Sequence, residues 1–121
     1  MPTPVLICDD SSFARKQMAR ALPPGWDVEV NYATNGEEAL AAIEAGQGDI
    51  LFLDLTMPVM DGYTVLETIK KRDLNTVVIV VSGDIQPEAF ERVKKRGALD
   101  FIKKPIDPET THRVLNDFGL V

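Results

Sequence analysis

Cysteine, histidine and tryptophan occur once each, as Cys8, His112 and Trp26, and aromatic residues make up only 7% of the 121 residues. One cysteine closes no internal disulfide, and this set builds neither a disulfide scaffold nor a thiolate or imidazole zinc cluster. Cys8 sits inside an apolar run and reads as a buried free thiol of a reducing cytosol, kept for packing rather than reactivity. Apolar runs of the about 18 residues that a membrane span needs are missing, so no membrane association is expected. Met1, Pro2, Thr3 and Pro4 lead into a short apolar run without a basic region, which argues against a secretory signal and for a cytoplasmic protein. Positive charge is also scarce: 13 basic residues face 19 acidic ones, for a net charge of −6 and a pI near 4.7. Direct binding to duplex nucleic acid is therefore not expected, whereas a cation is a natural partner.

What is present is an ordinary globular balance, 45% apolar and 26% charged, in a length that suits one domain over residues 1–121. Val5 to Cys8, Ile50 to Leu53, Val77 to Val81 and Phe101 to Ile102 have the continuous apolar look of strands buried on both faces of a parallel sheet. Val28 to Tyr32 alternates and reads as an edge strand. Helical spacing lies between them. Ala14, Met18, Ala21 and Leu22 share a face before Pro23, Pro24 and Gly25, with Trp26 anchoring the loop that follows. Thr34 and Glu37 have capping-box spacing ahead of Ala39, Leu40 and Ile43. Asp61 caps a helix that turns Val65, Leu66 and Ile69 inward and ends in Lys70, Lys71 and Arg72. Pro87 opens a helix burying Phe90 and Val93 and ending at Gly97, and Asp107-Pro108 opens one with Thr111, Val114, Leu115 and Phe118 inward.

Strict alternation of strand and helix implies right-handed crossovers and an α/β, doubly wound parallel sheet of five strands. Ligands of such sheets bind outside the carboxyl ends of the strands, where the winding reverses. The residues at those ends are Asp9 and Asp10, Asp54, Ser82 with Gly83, and Lys104 with Pro105. Three carboxylates on one rim repel one another, and at least one would keep its proton unless positive charge is supplied. A hard divalent cation such as Mg²⁺ fits this oxygen set, Lys104 adds a fixed positive charge, and the Ser82 hydroxyl can donate to an oxyanion. Together they suit phosphoryl transfer to a carboxylate nucleophile, for which Asp54, alone on its strand, is the candidate.

The segment Asp54-Leu55-Thr56-Met57-Pro58-Val59-Met60-Asp61-Gly62 resembles the phosphoacceptor segment of response-regulator receiver domains of two-component signalling, the chemotaxis regulators among them. Asp9-Asp10, Ser82-Gly83 and Lys104-Pro105 resemble the family's other marks, in order, over essentially the whole chain. The resemblance implies a flavodoxin-like (βα)5 fold with strand order 2-1-3-4-5. It implies Asp54 as phosphoacceptor, Asp10, Asp54 and the Thr56 backbone carbonyl as Mg²⁺ ligands, and Asp9 as a carboxylate reaching the ion through water. Ser82 and Lys104 would meet the phosphoryl group, the Lys104-Pro105 bond would be cis, and Ser82 and Phe101 would form the switch. Gly83 would let the loop follow Ser82. Thr56 and Asp84 stand where the family tunes phosphoaspartate hydrolysis. A histidine kinase would be the donor, and a partner protein or fused effector would read the surface of the fourth helix, fifth strand and fifth helix. Phe101 stands where many members have tyrosine, so no phenolic hydrogen bond to a partner is available there.

Each residue also has a plainer reading. Asp9 and Asp10 could be helix caps, Ser82 a loop serine, Phe101 a core aromatic and Lys104 a solvated charge. Lys103 rivals Lys104, since neighbours on a strand point oppositely and only one can face the rim. Lys94, Lys95 and Arg96 form a solvated helix end or part of a docking face for an acidic partner, and His112 is a surface residue. A haloacid-dehalogenase-like phosphohydrolase would need an acid two residues after the nucleophile, where Thr56 stands, and a substrate-covering cap this length does not allow. A phosphorylation-independent scaffold would not need the Asp, Ser and Lys set. The expected role is therefore a switch rather than an enzyme, with only slow self-catalysed phosphoryl transfer and autodephosphorylation. The apolar ending Gly119-Leu120-Val121, which a free terminus would expose, points to a domain excised from a longer chain.

Overall fold

The computed structural model describes residues 2–83 and 86–121. Strands and helices alternate along the chain as β1 (Thr3–Cys8), α1 (Ser12–Arg20), β2 (Val28–Ala33), α2 (Gly36–Glu44), β3 (Ile50–Leu53), α3 (Gly62–Arg72), β4 (Val77–Ser82), α4 (Pro87–Lys95), β5 (Asp100–Lys103) and α5 (Pro108–Asp117). Every strand pair is parallel and the order is β2-β1-β3-β4-β5, which is the flavodoxin-like doubly wound sheet expected from the alternation and the resemblance. No described helix is long and apolar enough to cross a membrane.

Successive strand residues face opposite sides, and the apolar runs feed two cores. Val5 and Ile7, Ile50 and Phe52, and Ile79 and Val81 meet Met18 of α1 and Val114 and Leu115 of α5. Leu6 and Cys8, Leu51 and Leu53, and Val78 and Val80 meet Leu40 and Ile43 of α2, Val65, Leu66 and Ile69 of α3, and Val93 of α4. Trp26 packs its half-buried ring against the first of these cores, as a loop anchor should. β2 lies at the edge and carries the exposed Tyr32.

The caps remove one of the plainer readings, and caps and helix phases depart from expectation at three other places. Ser11, not Asp9 or Asp10, caps α1, accepting from the Ala14 N–H at 3.2 Å. Asn35, not Thr34, caps α2: its backbone is extended and its Oδ1 reaches the Glu38 N–H at 2.9 Å. The reciprocal bond runs from the Thr34 N–H to the Glu38 carboxylate at 2.7 Å, so the box exists one residue along from the Thr34–Glu37 pair. Phe90 is 44% exposed, because Ala89 and Val93, four apart, form the buried line of α4 and Phe90 falls on its flank. Phe118 is 43% exposed, because the helix ends before it. Gly119, at φ 70°, reverses the chain and Leu120 donates to the Leu115 carbonyl at 2.8 Å, so Leu120 takes the inward place.

Candidate functional site

The winding reverses between β1 and β3, and their carboxyl ends place Asp9, Asp10 and Asp54 side by side. The sheet ladder continues one residue past the strands. The Asp9 N–H donates to the Ala33 carbonyl at 3.1 Å, the Asp54 N–H to Cys8 at 3.0 Å and the Lys104 N–H to Ser82 at 2.9 Å. These bonds hold the three backbones level on one rim. Carboxylate oxygens of Asp9, Asp10 and Asp54 lie within 4.8 Å of one another. Asp9 is 1% and Asp54 5% exposed, whereas Asp10 faces solvent.

Lys104 crosses the rim from the residue after β5, with its ammonium 2.9 Å from Asp9 Oδ2 and 3.3 Å from Asp54 Oδ1. Lys103 is exposed, which answers the rivalry between the two lysines. Burial and then the neighbouring Asp9 charge push the Asp54 carboxyl above its ordinary value, and Lys104 and the Thr56 N–H only partly offset them. Burial works against the Lys104 ammonium, but its hydrogen bond to Asp9 and the Asp54 and Asp9 charges prevail and its pKa rises. One ammonium thus leaves the rim short of positive charge. The cluster offers only hard carboxylate oxygens, a donor set that fits Mg²⁺.

The loop from Asp54 to α3 is tightly built. The Gly62 N–H donates to the Leu55 carbonyl at 2.9 Å, and a Cβ on Gly62 would lie 2.6 Å from the Asp54 carbonyl oxygen, so only glycine lets α3 start this close to the rim. Asp61 caps α3 through the Thr64 N–H, as its position before the helix implies. Val59 has φ 69° inside a turn closed by the Met60 N–H and the Pro58 carbonyl at 2.7 Å, a costly conformation for a β-branched residue. Cys8 lies under this loop, its Sγ 3.4 Å from the Met57 sulfur, and burial followed by the Asp9 and Asp54 charges pushes its thiol up to about 12. It is a packing residue.

Ser82 ends β4, buried at 3% exposure, beside the rim. Gly83 has no left-handed φ and a Cβ there would meet nothing, so its glycine is not needed for this conformation. Asp84 lies outside the described residues. Thr56 is exposed two residues beyond Asp54. Phe101 on β5 is half-buried, its ring centroid 5.9 Å from that of Phe90. The Lys104-Pro105 bond is cis. His112 is exposed.

Several contacts at or near the site have no sequence signal of their own. Ser11 donates its N–H to Asp9 Oδ1 at 2.9 Å, and Arg15 of α1 donates Nη1 to the Asp9 carbonyl at 2.8 Å. Between α3 and α4, the Arg92 guanidinium lies 3.8 Å from the Tyr63 ring centroid and Arg96 pairs with Glu67 at 2.8 Å. The Lys94-Lys95-Arg96 run is therefore not uniformly solvated: Arg96 is engaged within the fold, and Lys94 reaches the Leu99 carbonyl at 3.3 Å.

The family pattern described as the response regulator receiver domain matches residues 5–116, and the chain belongs to that family, whose members are phosphorylation-controlled signalling switches. The chemotaxis protein CheY of Thermotoga maritima is 36% identical over 112 residues, covering 93% of this chain and 93% of that protein. A protein-glutamate methylesterase/protein-glutamine glutaminase of Geobacter sulfurreducens is 39% identical over 102 residues, covering 84% of this chain and 27% of that protein. The chain thus spans well under two thirds of the methylesterase relative and nearly all of the chemotaxis one. Among solved structures, the CheX-CheY-BeF3-Mg²⁺ complex from Borrelia burgdorferi matches with a TM-score of 0.85 at 35% identity, over 98% of this chain and 90% of that one.

Proposed function

We propose that residues 1–121 act as a single receiver module that accepts a phosphoryl group from the phosphohistidine of a histidine kinase onto Asp54. The observation that carries this reading is the convergence of the buried Asp54 carboxylate with Asp9, Asp10 and Lys104 on one rim. An Asp54 oxygen attacks phosphorus, the bond from phosphorus to the donor's imidazole nitrogen breaks, and that nitrogen keeps the electron pair and takes up a proton. Asp10, Asp54 and the Thr56 backbone carbonyl would hold Mg²⁺, with Asp9 reaching it through water. Both Asp9 oxygens already accept bonds, from Ser11 and Lys104, which supports the indirect role. Bound there, Mg²⁺ supplies the positive charge that the crowded carboxylates lack and that the transferring phosphoryl oxygens need.

Lys104 is placed to leave Asp54 and pair with a phosphoryl oxygen, and Ser82 to donate its hydroxyl to another. Ser82 carries the β4 end with it, and the Phe90–Phe101 contact joins that movement to the face of α4, β5 and α5. An output protein or a fused effector domain reads that face. The near-full coverage of CheY and the partial coverage of the methylesterase relative support both arrangements. The module works in the cytoplasm, beside its kinase.

Incubation with Mg²⁺ and acetyl phosphate, followed by intact mass, tests the reading. A single phosphate-sized gain that disappears in Asp54→Ala and with chelator is expected. Steady turnover of phosphomonoesters would instead make the chain a phosphohydrolase, and no incorporation would leave a scaffold.

A further inference from the structure

Asp9 has no free hydrogen-bonding group. Its N–H donates to Ala33, its Oδ1 accepts from Ser11, its Oδ2 from Lys104, and its carbonyl from Arg15 at 2.8 Å. Its neighbour Asp10 is the opposite case: exposed, with a carboxylate that makes no hydrogen bond or ion pair to any described residue. With no such contact on its carboxylate, the Asp10 side chain takes its direction from the two peptides that flank it: the one to Ser11, whose N–H is held by Asp9 Oδ1, and the one to Asp9. Three of the four Asp9 bonds come from the sheet, the following turn and the opposite lysine. The fourth, on the carbonyl of that same peptide, comes from a guanidinium on α1, half-buried between the helix and the rim.

We infer that Arg15 is a positioning residue for the metal site: by holding the Asp9 carbonyl it fixes the plane of the Asp9–Asp10 peptide and aims the Asp10 carboxylate at the cation. The inference rests on the Mg²⁺ reading above. A charge-assisted bond from a planar guanidinium restrains a carbonyl in direction as well as distance, which a lysine would do less well. Arg15 lies one helical turn into α1, so the bond also ties that helix to the rim.

The test turns on a sign. Arg15 is a positive charge beside a divalent-cation site, so if it acted only through its charge, removing it would tighten Mg²⁺ binding. Positioning requires the reverse. Mg²⁺ affinity is measured by calorimetric titration of the full chain and of Arg15→Gln, Arg15→Lys and Lys16→Gln, with the order parameter of the Asp10 amide recorded in metal-free protein. The expected result is a fivefold to tenfold weaker Kd and a lower Asp10 order parameter in Arg15→Gln, partial recovery in Arg15→Lys, and an equal or tighter Kd in Lys16→Gln. An Arg15→Gln chain that binds Mg²⁺ as tightly as the parent, or more tightly, overturns the inference and leaves the metal reading standing. Should Arg15→Gln fail to fold, an Arg15→Lys Kd equal to the parent's with an unchanged Asp10 order parameter overturns it. A parent chain that binds no Mg²⁺ overturns both.

Discussion

The Lys104 ammonium lies 3.3 Å from the Asp54 carboxylate, and Asp54 nevertheless holds its proton more tightly than an ordinary carboxyl group. Burial and the Asp9 charge outweigh the lysine, so the rim is electrostatically strained in a way a cation relieves. Lys104→Met should lower stability at pH 7 by about 1–2 kcal/mol, short of the full cost of orphaning a buried pair because the Lys104 side chain is 31% exposed. Saturating Mg²⁺ should restore most of the loss. Urea unfolding with and without Mg²⁺ reads both effects, and an equal loss in the two conditions would contradict the account.

The same strain predicts a pH dependence. A carboxyl whose pKa is higher folded than unfolded binds more protons in the folded state, so its contribution to stability falls as pH rises from its ordinary value of 3.8 through the raised folded one. Asp54→Asn removes that loss. The variant should be more stable than the parent at pH 7 without Mg²⁺, the two should converge below pH 3.8, and added Mg²⁺ should narrow the gap at pH 7. Thermal melts across that range decide it, and a variant less stable at pH 7 would sink the argument.

Gly62→Ala would put a Cβ 2.6 Å from the Asp54 carbonyl oxygen, a contact with backbone that no rotamer change avoids. A loss of about 1–3 kcal/mol is expected, with slower phosphorylation because Asp54 itself must shift. Alanine is the better helix former, so without the clash the variant would gain stability and keep its labelling rate; chemical denaturation and acetyl phosphate labelling together separate the two outcomes.

Val59 holds φ 69° at 71% exposure, where its side chain gains little from burial. Asparagine tolerates that backbone far better, so Val59→Asn should raise stability by about 0.5–1 kcal/mol. An unchanged or lowered unfolding midpoint would show that the valine carries a contact that outweighs its strain.

The rim was legible because a parallel sheet brings strand ends together whatever the intervening sequence. Asp9, Asp54, Ser82 and Lys104 each close an apolar run, and the alternation of strand and helix then puts them on one edge. Side-chain choice within the rim was only half legible: strand alternation says that one of Lys103 and Lys104 faces the site, and the chain leaving β5 decides which. What stayed hidden depends on helix phase and reach. Phe90 and Phe118 carry apolar signals yet fall on a flank and past a helix end, and Asn35 displaces Thr34 as a cap by one residue of backbone geometry. Arg15 has no mark in the sequence, and only the fold brings it onto the Asp9 carbonyl.

The central claim is that the phosphoryl group resides on Asp54, and chemical trapping tests it most directly. After incubation with acetyl phosphate and Mg²⁺, borohydride reduces an acyl phosphate to an alcohol, turning the modified aspartate into homoserine that tandem mass spectrometry locates. The account predicts homoserine at position 54 alone, absent when Mg²⁺ is chelated. Homoserine at Asp9 or Asp10, or none at any position, would contradict it.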